Sequence, residues 1–191
     1  TALHIFDFDG TLVRTPGKED GAVLLEAATG QILRGGGWWG REESLGQIVL
    51  PTPLDRSRVI SSVFDELEEI SVRSLTAAAI VMTGRLSKLR PAVLRVLDEA
   101  AIAHTREPTS FLLHEAVFTH PGLGLSTIAF KTALISKIIE EGPEALRKIK
   151  ELHIWEDRVE HAELFAGTFA AGLRSKMGIT TTVHFVGAET P

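Results

Sequence analysis

The chain has 191 residues, of which 44% are hydrophobic and 24% are charged, and its formal net charge is -5. This length and composition suit one α/β domain with a sizeable core, and no apolar run approaches the roughly 20 residues of a membrane helix. The absence of cysteine excludes disulfides and thiolate metal sites, and the acidic balance argues against a protein that coats nucleic acid. The chain starts without Met and has no secretory signal pattern, so we expect a domain of a longer protein that works inside the cell, in the cytoplasm.

Short apolar runs alternate with stretches in which apolar residues have helical spacing. Alternation of this kind is typical of a mostly parallel five-stranded sheet covered by helices on both faces, a Rossmann-like three-layer α/β/α sandwich. Such sheets bind ligands at the carboxyl ends of their strands. The predicted strands are 3–8, 77–84, 116–120, 151–155 and 181–186, and the predicted helices are 57–75, 86–102, 129–141 and 158–176.

Residues 14–56 do not fit the sandwich pattern, because they are rich in glycine and proline and lie between the first strand and the first clear helix. Long insertions of this kind are often lids or binding loops, so we expect a lid or small cap within a single domain of residues 1–191. Trp38 and Trp39 offer two interpretations, a stacking platform for a base or an apolar anchor for the lid. We favour the anchor, because two adjacent tryptophans cannot easily both face a ligand.

Polar residues follow several of the predicted strands. If the strands are parallel neighbours, these side chains converge on one crevice from positions far apart in the chain. The simpler alternatives are a strand-ending turn at Asp7 or Thr83 and a solvated helical charge at Lys131. The converging residues are Asp7, Asp9, Thr83, Arg85, Lys131, Glu156 and Asp157.

The motif "DFDGT" indicates chemistry on phosphorus. Asp7 and Asp9 lie two residues apart on one predicted strand, and unpaired buried carboxylates are too costly to serve packing alone. A carboxylate can attack phosphorus if a cation neutralises both groups, so oxygen ligands for Mg²⁺ are expected nearby, and Asp157 can supply one. Asp9 can then act as general acid and later as general base. Gly10 and Thr11 allow a tight turn whose N–H groups face phosphate oxygens.

The set "DFDGT", "MTGR", Lys131 and "WEDR", in this order, resembles the four motifs of the haloacid dehalogenase (HAD) superfamily. The resemblance implies Asp7 as a nucleophile that becomes phosphorylated and Asp9 as the general acid/base. It also implies that Thr83 holds the phosphoryl group and that Lys131 neutralises charge. Mg²⁺ would be bound by Asp7, Asp157 and the backbone carbonyl of Asp9. An aspartate at position 9 resembles the phosphatase branch of the superfamily.

A closer likeness includes "FDFDGTLVRTP", "GGGWWG", "VMTGR", "AFK" and "WEDRVEHAELF", which together resemble the HAD domain of Swiss Army Knife RNA repair-like proteins. This resemblance implies a phosphatase that removes terminal phosphates from RNA, fused to or associated with RNA-repair domains. Two alternatives stay open, a small-metabolite or nucleotide phosphatase and a non-catalytic RNA-binding domain on the same fold.

The residues beside these motifs complete the predicted site. Gly84 and Arg85 are candidates for substrate binding, although Arg85 could equally cap the following helix. Many HAD proteins have a second acid four residues after the metal-binding aspartate, and His161 stands there. We therefore expect Glu156 to act as an outer-shell acceptor for Mg²⁺, and Arg158 to orient a carboxylate or contact substrate phosphate.

Overall fold

A sheet of five parallel strands organises the fold, and the computed structural model describes residues 1–105, 114–122 and 124–187. The strand order is β3-β2-β1-β4-β5. Every pairing in it is parallel, which confirms the predicted Rossmann-like α/β class. The strands are β1 (Ala2–Phe6), β2 (Ala77–Leu86), β3 (Val117–His120), β4 (Glu151–Glu156) and β5 (Thr180–Phe185).

The helices begin and end within a few residues of the predicted positions, with three differences. The predicted helix 158–176 is divided into α6 and α7 by a π-helical turn, Phe165–Phe169, that is kinked at Gly167. The predicted helix 57–75 begins later, at Ser61, and its α-helical part ends at Glu68, followed by a π-helical turn, Glu69–Arg73; α1 and α5 were not predicted. No helix in the described ranges is long and apolar enough to cross a membrane. The helices are α1 (Lys18–Thr29), α2 (Ser61–Glu68), α3 (Arg90–Thr105), α4 (Thr127–Glu141), α5 (Glu144–Arg147), α6 (Val159–Leu164) and α7 (Ala170–Met177).

Alternating side chains of the strands supply a separate core on each face of the sheet. On one face, Leu3 and Ile5 pack with residues of α4 and α7, and on the other, Phe6 packs with residues of α2 and α3. This is the period-2 pattern of a strand that is buried on both sides. The helices on both faces hold β1 in place, so the residues that follow Phe6 start from a fixed position.

The insertion packs against the core. Its backbone begins and ends at neighbouring positions, because the Arg14 N–H donates to the Arg58 carbonyl over 2.7 Å. Trp38, Leu45 and Leu50 are buried in the same apolar cluster as α3. The side chain of Arg95, on α3, donates to the carbonyls of Leu45 and Leu50. The insertion is therefore attached to α3 by apolar contacts and by hydrogen bonds to its backbone.

Four aromatic rings stack across β1, β4 and β5 on the α2 side of the sheet. The rings of His4 and His153 are 4.6 Å apart, and those of Trp155 and His184 are 4.1 Å apart. The pKa of His4 is lowered to about 4, first by burial and then by the charges of His153 and His184. We call these four residues the imidazole stack. Burial also lowers the pKa of His184, so His4 and His184 carry less positive charge than free histidine would at mildly acidic pH.

Candidate active site

Strand register brings two acidic residues together at the carboxyl end of the sheet. Phe6 pairs with Trp155, and the Asp7 N–H donates to the Trp155 carbonyl over 3.1 Å. Asp7 therefore lies beside Glu156, and both side chains are buried. Asp7 and Glu156 are 149 positions apart in the sequence and become neighbours because β1 and β4 are adjacent strands.

Lys131 compensates this buried negative charge. It extends from α4, and its Nζ lies 2.9 Å from Asp7 Oδ1 and 2.7 Å from Glu156 Oε2. The lysine is 2% exposed, so the ion pairs are shielded from water. Electrostatic interactions are stronger in such an environment than in water. Buried charges persist only when they are paired in this way. We call Asp7, Lys131 and Glu156 the Lys131 cluster.

Other donors also contact Glu156. The Arg158 N–H donates to Glu156 Oε1 over 3.3 Å, and Arg158 Nε lies 3.5 Å from the same oxygen. Nδ1 of His161 lies 3.4 Å from Oε2. Burial lowers the pKa of His161 to about 4, with the charges of Arg158 and Lys131 next in importance, so its ring is neutral and can donate to the carboxylate. Both oxygens of Glu156 are thus engaged by protein donors.

Among the described residues, no buried cation pairs with Asp157 as Lys131 pairs with Asp7. The pKa of Asp157 is raised to about 7, first by burial and then by the negative charges of Asp7 and Glu156, while Arg158 opposes the shift. Burial likewise raises the pKa of Asp7, although Lys131 counteracts it. Carboxylates that repel each other in this way are stabilised by a bound cation.

The donor set fits a divalent cation that prefers oxygen ligands. Oxygen atoms of Asp7, Glu156 and Asp157 all lie within 4.8 Å of one another. Gly10, with a φ of 72°, brings its backbone so close that an added Cβ would lie 2.1 Å from Asp157 Oδ2. The loop therefore closes against the carboxylate and needs glycine there. Asp7, Glu156 and Asp157 are therefore the side chains that could hold Mg²⁺, and of these Glu156 already has protein donors at both oxygens.

Asp9 belongs to a second ion-paired group. Both of its carboxylate oxygens accept hydrogen bonds from Arg85, at distances from 2.7 to 3.1 Å, and the Thr15 hydroxyl donates to Oδ1 over 2.7 Å. Arg85 also donates to the Trp39 carbonyl and the Ser44 hydroxyl. We call these five residues the Arg85 cluster. It joins the second aspartate of "DFDGT" to the insertion.

Arg85 was expected either to contact substrate or to cap the following helix, and its environment in the structure differs from both expectations. It is 1% exposed, and its guanidinium is taken up by Asp9 and the insertion. Its neighbour Gly84 is closely packed, because an added Cβ would lie 2.7 Å from the Thr127 side chain. Thr83 is buried, and its hydroxyl accepts from the Arg85 N–H over 3.1 Å. The "MTGR" segment lies at the carboxyl end of β2, and Gly84 is its residue that lines the cleft.

Thr11 is buried at 0% exposure, and its hydroxyl has no hydrogen-bond partner among the described residues. The Gly10 N–H donates to the Val13 carbonyl over 2.9 Å, so the turn uses this donor internally. The expected contact of Gly10 and Thr11 with phosphate remains a prediction for their turn.

These groups open into one cleft of about 210 Å³. The two tryptophans of "GGGWWG" diverge there. Trp38 is 2% exposed and its Nε1 donates to the Pro16 carbonyl over 2.9 Å, whereas Trp39 is 48% exposed and faces the cleft. The cleft is lined by Asp7, Asp9, Asp157, Trp39, Gly84, Thr127 and Arg158.

The parallel sheet, with an aspartate and a buried lysine at its carboxyl edge, defines a domain of the HAD type. A model of HAD domain family 1 in Swiss Army Knife RNA repair proteins matches residues 21–190, and the chain belongs to this family. The family supports a HAD-type phosphohydrolase, and HAD phosphatases generally use Mg²⁺. The matched range begins after Asp7 and Asp9, so the contacts of these two residues with Lys131 and Arg85 are independent support for the site.

A relative in Saccharomyces cerevisiae, "Uncharacterized protein YMR265C", is 29% identical over 175 residues. The alignment covers 88% of this chain but 37% of the yeast protein, so the chain spans little more than a third of that relative's length. No solved structure matches the chain.

Sequence reasoning missed three contributors to the site. The Thr15 hydroxyl contacts Asp9, the Ser44 hydroxyl contacts Arg85, and Thr127 lines the cleft. Thr15 and Ser44 belong to the insertion, for which no regular pattern was available. Thr127 had a usable signal, because it is the first residue of α4, after the N-cap Ser126.

Proposed function

We propose that the protein is a Mg²⁺-dependent phosphohydrolase that works through a phosphorylated Asp7, and that it removes terminal phosphates from RNA. The observation that carries the proposal is the contact of Asp7 with buried Lys131, 2.9 Å apart, in the cleft that Asp9 and Asp157 also line. The RNA substrate is supported by the family description, HAD domains in Swiss Army Knife RNA repair proteins.

Asp7 is suited to nucleophilic attack. The Phe8 N–H and Lys131 Nζ both reach its Oδ1, at 2.8 and 2.9 Å, so we assign the attack to Oδ2. The Asp7 oxygen forms a bond to phosphorus while the bond from phosphorus to the leaving oxygen breaks. A bound Mg²⁺ would supply positive charge that reduces repulsion between the carboxylate and the phosphate. Lys131 supplies a second positive charge from the protein itself.

Asp9 moves the proton in both steps. It protonates the leaving oxygen in the first step, and it takes a proton from the water that hydrolyses the acyl-phosphate in the second. Both oxygens of Asp9 accept hydrogen bonds from Arg85, so one of these bonds must break before that oxygen can reach the leaving group. Hydrolysis returns Asp7 to its carboxylate form and releases inorganic phosphate.

The direct test is phosphate release from a panel of substrates with and without Mg²⁺. The panel contains 3′-phosphate, 5′-phosphate and 2′,3′-cyclic phosphate RNA, nucleoside monophosphates and a generic phosphate ester. We expect Mg²⁺-dependent turnover of at least one RNA end, and a loss of at least about a thousandfold in Asp7→Asn. Asp20→Asn is the matched control, because Asp20 is exposed on α1.

Three outcomes would contradict parts of the proposal. Unchanged turnover in Asp7→Asn would exclude the nucleophile. Turnover of nucleotides or small phosphate esters without RNA ends would favour a metabolite phosphatase. RNA binding that is insensitive to chelators and is not followed by hydrolysis would favour a binding domain.

A further inference from the structure

We propose that Trp39 is the stacking platform for a nucleobase on the leaving group of the substrate. This inference rests on the proposed phosphohydrolase function and adds a residue that selects the substrate class. It starts from the divergence of Trp38 and Trp39, whose environments differ although they are adjacent in the chain.

Trp38 already performs the anchoring role for the insertion. Its ring fills the space beside Gly21 on α1, where an added Cβ would lie 2.0 Å from Trp38 Cζ2. Its indole N–H donates to the Pro16 carbonyl. Anchoring by Trp38 therefore does not account for the exposed part of the Trp39 ring, which lines the cleft.

The position of Trp39 is fixed from two sides. Its carbonyl accepts from Arg85 Nη1 over 3.1 Å, and the Arg85 guanidinium carbon lies 4.6 Å from the centre of the Trp39 ring. Arg85 is itself held by Asp9 and is almost fully buried. Trp39 thus presents a rigid aromatic surface that packs against the Arg85 cation. Because its position is already fixed, it loses little conformational entropy when a ligand binds.

The cleft sets the distance scale of the substrate. Asp7 and Trp39 line the same cleft of about 210 Å³, so a group attached to a phosphate on Asp7 lies within reach of the indole. Arg158, with a side chain 43% exposed, lines the cleft as well and supplies positive charge for a phosphate-bearing ligand. A planar, uncharged ring joined to the phosphate through a sugar suits this combination better than an aliphatic or charged leaving group does.

Aromatic stacking is a general way of holding bases, because every base has a π face and stacking tolerates any sequence. The ligand chemistry is therefore a nucleoside phosphate. It could be supplied as a free nucleotide or as the terminal nucleotide of an RNA, and the substrates in the test distinguish these two sources.

The test compares a nucleoside 5′-monophosphate with ribose 5-phosphate, which share the phosphorylated sugar and differ in the base. We expect the wild-type kcat/KM to favour the nucleotide, and Trp39→Leu to lower that preference about tenfold, within the range typical of base stacking. Trp39→Phe keeps an aromatic face and should retain most of the preference. Leu75→Ala, which removes a fully exposed apolar side chain just before β2, should leave kcat/KM unchanged for both substrates.

The ratio of the kcat/KM values for the two substrates distinguishes stacking on the base from a structural effect of the substitution. If Trp39→Leu lowered kcat/KM equally for both, Trp39 would act only by supporting Arg85 and Asp9, and the proposal would be overturned. It would also be overturned if the wild-type enzyme did not distinguish the two substrates.

Binding distinguishes failure of the platform from failure of the proposed hydrolase. Calorimetry with the nucleoside monophosphate should show about tenfold weaker binding to Trp39→Leu than to the wild type, whether or not either protein turns it over. Equal affinities would overturn the platform, while absent turnover with an intact affinity difference would contradict only the phosphohydrolase.

A 5′-phosphorylated oligoribonucleotide, with or without its terminal base, identifies the source of the base. A Trp39-dependent preference for the intact end that exceeds the preference for the mononucleotide supports RNA termini. An equal or smaller preference supports free nucleotides, and base recognition by Trp39 holds in either case.

Discussion

The Lys131 cluster and the Arg85 cluster each hold one aspartate of "DFDGT" on a buried cation, but different parts of the fold build them. The Lys131 cluster comes from the ends of β1 and β4 and from α4, and Asp7 and Glu156 are 4% and 0% exposed. The Arg85 cluster includes residues of the insertion, and the Asp9 side chain is 22% exposed. The sheet therefore fixes the proposed nucleophile, whereas the environment of the proposed acid/base depends on the insertion.

The largest expected effect is a difference in turnover between variants of Asp157 and of Glu156. Asp157→Ala should remove Mg²⁺-dependent turnover, because it deletes a direct ligand, whereas Glu156→Gln should lower turnover by about 10–100-fold, as the loss of an outer-shell partner does. Mg²⁺ should also raise the melting temperature of the wild type and fail to do so for Asp157→Ala. The reverse order of the two effects would show that Glu156 is the direct ligand.

Asp9→Asn should come next, with a loss of about 10²–10⁴-fold in kcat, the usual range for a general acid/base. The asparagine can still fill the space beside Arg85, so the measurement tests proton transfer more than packing. A substrate whose leaving group needs no protonation should be less affected in a single-turnover assay. Equal losses for good and poor leaving groups would contradict the acid role.

The free energy of unfolding should depend more strongly on Lys131 than on Arg85. Lys131→Met removes the buried positive charge that Asp7 and Glu156 share and should lower the free energy of unfolding by about 3–5 kcal/mol. Arg85→Met should cost less, about 1–3 kcal/mol, because water can reach part of Asp9. Urea unfolding measures both values, and a larger loss for Arg85→Met would contradict the comparison.

The smallest effect is the pH dependence of stability from the imidazole stack. The pKa of His4 is lowered from 6.5 to about 4, first by burial, and that of His184 is also lowered, while Glu151 and Glu66 oppose these shifts. The unfolded chain therefore takes up protons first, so the free energy of unfolding should fall as pH drops from about 6.5 toward 4.

The control for this prediction is His4→Phe, which keeps a ring in the stack without a titrating group. The decrease in stability between pH 7 and pH 5 should be smaller in this variant than in the wild type. Burial raises the pKa of Asp7 and Asp157, which gives the opposite slope, but this contribution cancels when the two proteins are compared. An identical slope in both proteins would contradict the prediction.

The fold was largely predictable because its strands are buried on both faces. Runs such as "AAAIVMTG" carry their signal locally, since nearly every side chain in them must be apolar. Helix boundaries were harder to predict. The kink at Gly167 interrupts a continuous apolar pattern, and α1 buries little more than Gly21 and Leu25, so it has only a weak apolar stripe.

The site could be predicted at the level of which residues gather, but their partners could not. Asp7 and Lys131 carried signals as strand-end and helix-entrance residues, and they meet in the structure. The bond between Arg85 and Asp9 had no local signal, because its partners are 76 residues apart and either could have paired elsewhere. The sequence likewise carried no local signal that Trp38 is buried and Trp39 is exposed, because the two adjacent residues are of the same type.

The sequence by itself determined the strand and helix alternation and the acidic residues at the strand ends, because hydrophobic period and turn chemistry are local properties. Only the tertiary structure decided that Lys131 joins Asp7 to Glu156, that Arg85 is buried against Asp9, and that Trp39 faces the cleft. Those outcomes depend on strand order and on how the insertion packs against α3. Both are set by contacts between residues far apart in the chain.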